Sequence, residues 1–351
     1  MVKNENRSGS FSMLRPAAKC TCGYDDPSTE PTLGSRSHNN DSLFEKVVEE
    51  WLTFSKIEWH ESTYMRYTNL LQNYLYPAFQ GQLISSIRWR DAEELCVQLR
   101  SCGGRARNGL SEKTVSDLLS VLRRVLHYAR SNGIAVDTAI FSIETKRTPK
   151  PLRILSLAEQ HCLQRYICDH IDPINLGILI CIHTGIRIGE LCALEWDDIS
   201  LTEKTLYIHK TMQRLQKQTP DRSKTHVIIT APKSPCSNRL IPISRSLLCE
   251  LKKYPLEQNG YFLTGSSEKT IEPRTVQRRF KKILKACQIE DVNFHILRHT
   301  FATRCVEATV DIKTLSEILG HSNVMITMNR YVHPSMEMKR MRMDKVSHYI
   351  K

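Results

Sequence analysis

Four short runs of this sequence carry residue types able to act on a phosphate ester. In Thr184-Gly185-Ile186-Arg187-Ile188-Gly189-Glu190-Leu191, Gly185 permits a tight turn between two helices and sets Arg187 near a helix N-terminus, a place that suits anions. Glu190 follows three residues on and can steady the guanidinium; the plainer alternative is a surface Arg–Glu pair. In Ala231-Pro232-Lys233-Ser234-Pro235-Cys236-Ser237-Asn238-Arg239, Lys233 sits in a link between two strand-like runs, read as a hairpin. Its mobile ammonium can swing over a ligand and give up a proton, or it can simply be solvated. In His295-Ile296-Leu297-Arg298-His299, His295 and Arg298 stand about one helical turn apart and present two donors to one oxyanion, unless the spacing is fortuitous. Last, Leu319-Gly320-His321-Ser322 precedes Asn329-Arg330-Tyr331-Val332-His333. Gly320 reads as a helix stop, His321 as the joint, and Ser322 as the N-cap of a short helix carrying Tyr331, which is otherwise a packing aromatic.

Attack on a phosphodiester builds negative charge on the nonbridging oxygens, and without a metal motif cationic side chains must supply the counter-charge. Planar guanidiniums bind such oxygens bidentately, and each oxyanion donor contributes about 10²–10³-fold in rate. A phenol, with a free pKa of about 10, needs a base or nearby cations to become a phenolate. An alkoxide leaving group needs a proton, and a placed lysine supplies it for about 10²–10⁴-fold.

The elements that must position these groups are mainly helical. Upstream, Leu43, Val47, Trp51 and Phe54 mark one face of a helix, and a second fits 62–75 with Ser62 as N-cap and Pro77 just past its end. A third runs near 90–100. Ser111 opens a fourth, with Val115, Leu118, Leu119, Leu122, Val125, Leu126 and Ala129 as its apolar stripe and Gly133 as C-cap. After the linker, helices are expected over 156–170, 174–183 and 187–194. Strand-like runs follow at 205–209, 226–230 and 240–243, with turn chemistry at Thr219-Pro220-Asp221 and Lys233-Ser234-Pro235. Helices return after Pro273. The expected fold is mainly α with a small antiparallel β-sheet. Its expected divisions are a flexible arm at 1–40, a helical domain at 41–140, a basic linker at 141–153 containing ETKRTPKPLR, and a catalytic domain with C-terminal tail at 154–351.

The ordered set Arg187, Lys233, His295, Arg298, His321 and Tyr331 resembles the tyrosine recombinase (phage integrase) family. The likeness extends to its flanks TGIRIGELCALEWDDI, PKS…SNRLIPI, FHILRHTFAT, ILGHS and RYVH, and is strong from about residue 174 to 334. More weakly, residues 42–133 look like the family's helical core-binding (SAM-like) domain. The resemblance implies a nucleophile at Tyr331, phosphate-clamping arginines at Arg187 and Arg298, a general acid at Lys233, and supporting donors at His295 and His321. It further implies site-specific recombination for a mobile element through a 3′-phosphotyrosine intermediate and a Holliday junction, by a homotetramer on DNA. No metal, ATP or other cofactor is expected, and an accessory directionality factor is a possible partner. The arm-binding module of many integrases is not recognisable in 1–40. The tail, with Met336, Met338, Met341 and Met343 among charges, is expected to dock on a neighbouring protomer or on its own chain.

Charge agrees with a polyanionic partner: 50 Lys+Arg against 37 Asp+Glu leave +13. Arg274, Arg278, Arg279, Lys281 and Lys282 cluster in PRTVQRRFKKILK, where Val276, Phe280, Ile283 and Leu284 mark the buried face. Such a helix can enter the major groove, or form an ordinary solvated face. Lys113, Arg123 and Arg124 are further candidates for DNA contact. The longest apolar run, 176–182, is far short of the roughly 20 residues a membrane span requires. The N-terminus lacks a secretory signal, and the cysteines are scattered without metal-ligand spacing, so a cytoplasmic, nucleoid-associated protein with no membrane partner is expected. Two competing readings are a DNA-binding accessory protein without chemistry and a type IB topoisomerase.

Overall fold

The computed structural model describes residues 42–104, 106–145, 152–216, 225–232, 234–254 and 259–332, together with 336, 339–340, 343–344 and 346–347. The expected arm at 1–40, residues 146–151 of the basic linker, the Thr219-Pro220-Asp221 turn, Lys233 and much of the tail lie outside the described residues.

The N-terminal unit packs α1 (Phe44–Ser55), α2 (Glu61–Leu70), α3 (Tyr76–Phe79), α4 (Trp89–Cys102) and α5 (Glu112–Ser131) around one apolar cluster. Every residue of the expected α5 stripe is buried there, and Ser111 caps the helix by accepting from the Thr114 N–H. Phe54 is a correction. On α1 the inward face is Phe44, Val47, Val48 and Trp51, whereas Phe54 lies past the edge of the bundle, exposed, with its ring 6.3 Å from that of Tyr128. The second helix begins after His60, one residue before Ser62. Pro77 does not end it either: the chain widens into a π-helical turn at Leu71–Leu75, and the Tyr76 N–H reaches back to the Leu71 carbonyl. The wider turn absorbs the ring and missing N–H of Pro77, so the chain stays helical to Phe79.

In the second unit α6 (Leu157–Asp169) starts on a reciprocal cap between Ser156 and Glu159, and α7 (Pro173–Thr184) on Asp172. Nearly all of α7 is buried; at 12 residues it is a core helix. Next come α8 (Ile188–Cys192) and five short strands: β1 (Ile199–Ser200), β2 (Thr205–Ile208), β3 (Thr211–Gln216), β4 (Thr225–Thr230) and β5 (Arg239–Pro242). All pairing is antiparallel, in a three-stranded sheet ordered β1-β2-β5 and a β3-β4 hairpin. The link from 231 to 238 is therefore not a hairpin tip: β4 pairs with β3, while β5 pairs with β2, Leu206 opposite Ile241. The remaining helices are α9 (Arg245–Lys253), α10 (Pro273–Ala286), α11 (Ile296–Glu307), α12 (Ile312–Leu319) and α13 (Val324–Tyr331).

A large apolar cluster joins α6–α11 to the strands, whereas Ala302, Val306, Leu315, Leu319 and Tyr331 form a separate small one between α11, α12 and α13. Among the described residues no helix is long and apolar enough to cross a membrane.

Candidate active site

Two left-handed glycines bring the site together. Gly185, at φ +66°, ends α7 where an added Cβ would lie 2.5 Å from the Phe301 ring. Gly320 ends α12 at the same φ, with space for a Cβ taken by the Arg239 guanidinium at 3.0 Å. Each turn leaves helix carbonyls without intrahelical partners, at the negative end of the helix dipole. Arginines occupy both. Arg298, 3% exposed, donates to the Gly185 carbonyl at 3.0 Å and the Leu319 carbonyl at 2.8 Å. Arg187, the N-cap of α8, donates to the Gly320 carbonyl at 3.2 Å.

Glu190 ties the cradle to the sheet. It accepts the Arg187 backbone N–H at 2.8 Å and the Arg187 guanidinium at 2.7 Å. From β5, Arg239 adds Nη1 at 3.2 Å and Nη2 at 2.9 Å, and its Nε donates to the Ile318 carbonyl at 2.6 Å. Burial alone would raise the Glu190 pKa, but the Arg239 bonds and the charges of Arg239 and Arg187 hold it below the ordinary value. Two guanidiniums thus share one carboxylate, and with Arg298 beside them positive charge is in excess before any anion arrives. Burial and then Arg187 push Arg298 down to about 9, which leaves it charged at neutral pH.

The imidazoles experience the same field. His295, the N-cap of α11, keeps part of its ring at the surface, yet the protein around it and then Arg298, Arg330 and Arg187 bring it to about 4. At the α12–α13 joint His321 is also brought to about 4, by desolvation and then Arg298 and Arg187; its Nδ1 lies 2.7 Å from Thr327 Oγ1. Both are neutral near pH 7 and remain hydrogen-bonding groups. Tyr331, last residue of α13, is buried, with its Oη 2.8 Å from His299 Nδ1. Burial raises the phenol pKa, and the positive charges of Arg298, Arg330 and Arg187 oppose part of that rise. Beside His295 and Arg298 opens a cavity of about 150 Å³, lined also by Ile186, Ile188 and, from α10, Gln277.

The structure therefore brings Arg187, Glu190, His295, Arg298, His321 and Tyr331 together from four separate stretches of chain. Lys233 lies outside the described residues, between the ends of β4 and β5. The cap of α13 is Asn323, whose side chain accepts the Met325 N–H at 2.8 Å; Ser322 stands one residue too early. Among the proposed DNA contacts Lys113, Arg124, Arg274, Arg278 and Lys282 are exposed. Arg279 pairs with Asp172 at 3.1 Å and Lys281 with Asp291 at 2.8 Å. Arg123 is a correction: its half-buried guanidinium donates to the carbonyls of Ile140 and Ile143, so its role is to hold the turn after α5. Sequence reasoning gave no role to His299, Arg239 or Arg330. His299, four residues beyond His295 on the same helix face, was open to detection; the Arg239–Glu190 pairing, 49 residues apart, was not. Among the described residues no group of three or more His, Cys, Asp or Glu is placed to hold a metal ion.

Residues 154–338 match the phage integrase family and residues 43–96 the phage integrase N-terminal SAM-like domain. Relatives include a XerC-like tyrosine recombinase of Caldanaerobacter subterraneus subsp. tengcongensis, 28% identical over 86% of this chain and 79% of that protein. The tyrosine recombinase XerA of Pyrococcus furiosus is 28% identical over 82% of this chain and 89% of its own length. Among solved structures, the fold resembles the Tn1549 transposon integrase in complex with transposon right end DNA, with TM-score 0.71 at 20% identity, covering 86% of this chain and 99% of that one. A lambda integrase dimer bound to a COC′ core site gives TM-score 0.60 at 16% identity over 83% and 78% of the two chains.

Proposed function

The chain belongs to the phage integrase family, a DNA-cleaving and rejoining tyrosine recombinase, and from that premise we propose that it is the site-specific recombinase of a mobile element. Tyr331 Oη attacks a backbone phosphorus, the P–O5′ bond breaks, and a 3′-phosphotyrosine preserves the bond energy for rejoining. Arg187 and Arg298 clamp the nonbridging oxygens, His295 and His321 add hydrogen bonds, and Lys233 protonates the leaving 5′-oxygen. Double-stranded DNA with specific crossover sites is the substrate, held by a tetramer that passes through a Holliday junction, with an accessory directionality factor as a further partner. The two helical units, joined by the basic linker at 141–153, close as a clamp around the duplex, and the exposed basic face of α10 tracks its phosphates.

The observation that carries this reading is the convergence of Arg187 and Arg298 on the glycine turns after α7 and α12, with His295, His321 and Tyr331 in the field of their charges. A nicked suicide duplex tests it. A covalent adduct with the native chain and none with Tyr331→Phe is expected, in EDTA as well as without it. Tight binding with no adduct from the native chain would leave only an accessory role. Relaxation of supercoils without exchange between two sites would favour a topoisomerase instead. Complete loss on chelation, restored by magnesium, would refute metal independence.

A further inference from the structure

Resting on that reading of Tyr331, we infer that His299 is a hydrogen-bond donor to the attacking atom, favouring the phenolate of Tyr331 instead of taking up its proton. The two groups are in direct contact, His299 Nδ1 to Tyr331 Oη at 2.8 Å, in a buried setting. Which of them donates is settled on the other side of the ring, where Arg330 Nη2 lies 3.2 Å from His299 Nε2. A guanidinium only donates, so Nε2 accepts and the single proton of a neutral ring resides on Nδ1, aimed at the phenol oxygen.

The ring is neutral because of what surrounds it. Burial, then His295, Arg330, Arg298 and His321, push its pKa to about 3. His295 also meets it edge-on at 4.5 Å between centroids. Arg187 adds positive charge at Tyr331 from the turn after α7, and Arg153 and Asp291 line the cavity of about 410 Å³ on the outer side of His299. A cationic imidazole there would add charge to an already cationic pocket; a neutral one adds a directed N–H. Hydrogen bonding to the charged form favours that form, so the donor offsets part of what burial costs the phenolate.

In the step itself the phenol releases its proton to solvent water, and the phenolate oxygen, still held by the His299 N–H, forms the bond to phosphorus. The P–O5′ bond breaks with its electron pair on O5′, which takes the Lys233 proton, and Lys233 is reprotonated from water. His299 ends as it began, a spectator in the proton count and a contributor to the oxygen's acidity.

The test is the pH dependence of single-turnover adduct formation on a nicked duplex that carries the DNA flanking the chain's own coding sequence. In His299→Leu the ionisation midpoint is expected to rise by about one unit, so the rate at neutral pH falls about tenfold and approaches the native rate as pH increases. His299→Asn, whose amide N–H replaces Nδ1–H, should restore most of the rate, whereas His299→Gln, whose amide lies nearer Nε2, should not. A deficit equal at every pH, or Asn and Gln variants equally impaired, overturns the inference and leaves His299 a packing residue. A native chain without adduct overturns the reading of Tyr331 and this inference together. A native adduct with an unshifted His299→Leu profile overturns the inference alone.

Discussion

Replacing Glu190 by Gln is expected to destabilise the fold severely and to disorder the anion cradle with it. The carboxylate is 3% exposed and joins Arg187 on one side to Arg239 on the other, whose side chain is 6% exposed. Removing one member of a buried pair strands the other charge without compensation, at a cost of about 3–5 kcal/mol. Only the Arg239 half merits that figure, because the Arg187 side chain is 36% exposed and solvent screens its share. At about 2–4 °C per kcal/mol for a unit of this size, the melting temperature should fall by about 6–20 °C. Urea unfolding of the native chain, Glu190→Gln, Arg239→Met and the double variant closes a cycle, with a coupling of about 1–3 kcal/mol expected and the double variant recovering part of the loss. The pH dependence has a definite sign. Because the folded-state pKa lies below the ordinary 4.5, the contribution is fully present above that value. It is lost as pH falls through the lower folded pKa, so the native and Glu190→Gln curves should converge on acidification. A loss under about 1 kcal/mol, or strictly additive single effects, would refute the reasoning.

Gly185→Ala combines about 1–2 kcal/mol of left-handed strain with overlap against Phe301 worth about 1–3 kcal/mol, so its melting temperature should drop by several degrees; an unchanged value counts against a tight turn. Arg278→Gln should weaken DNA binding alike on all sequences and reduce the log–log salt slope by about 0.9, read by filter binding; an unaltered slope removes α10 from the interface. Lys233→Ala should slow cleavage by about 10²–10⁴-fold, with a 5′-phosphorothiolate leaving group restoring the rate; equal defects on both substrates would take Lys233 out of the general-acid role.

Local rules made much of this molecule legible in advance. The stops at Gly185 and Gly320 follow from glycine's access to positive φ, and the α5 stripe from helical periodicity, both confined to a few neighbouring residues. Pairings between distant segments were not legible. β3, with the polar run TMQRLQ, shows no alternation strong enough to mark a strand, and without it β4 seemed to pair with β5. Arg123 and Arg239 are both basic residues in a basic chain; only the fold distinguishes the one that holds a turn from the one that holds a buried carboxylate. The contact of His299 with Tyr331 spans 32 residues and depends on how α11 packs on α13. At Pro77 the helix widened where the rule said break, an adjustment of backbone geometry that residue type alone does not reveal.

Arg187 and Glu190 follow from turns rooted in the large apolar cluster, but the ring of Tyr331 is buried in the small one. Of the residues on α13 only Thr327 and Tyr331 are buried, while Met325, Ile326 and Met328 face outward. Stability is not uniform across a fold, and a short helix anchored by so little comes loose at lower free energy than the body it rests on. On the proposed roles, Tyr331 can then move away while Arg187 and Arg298 keep their places, so that holding a strand and severing it would be mechanically separate acts.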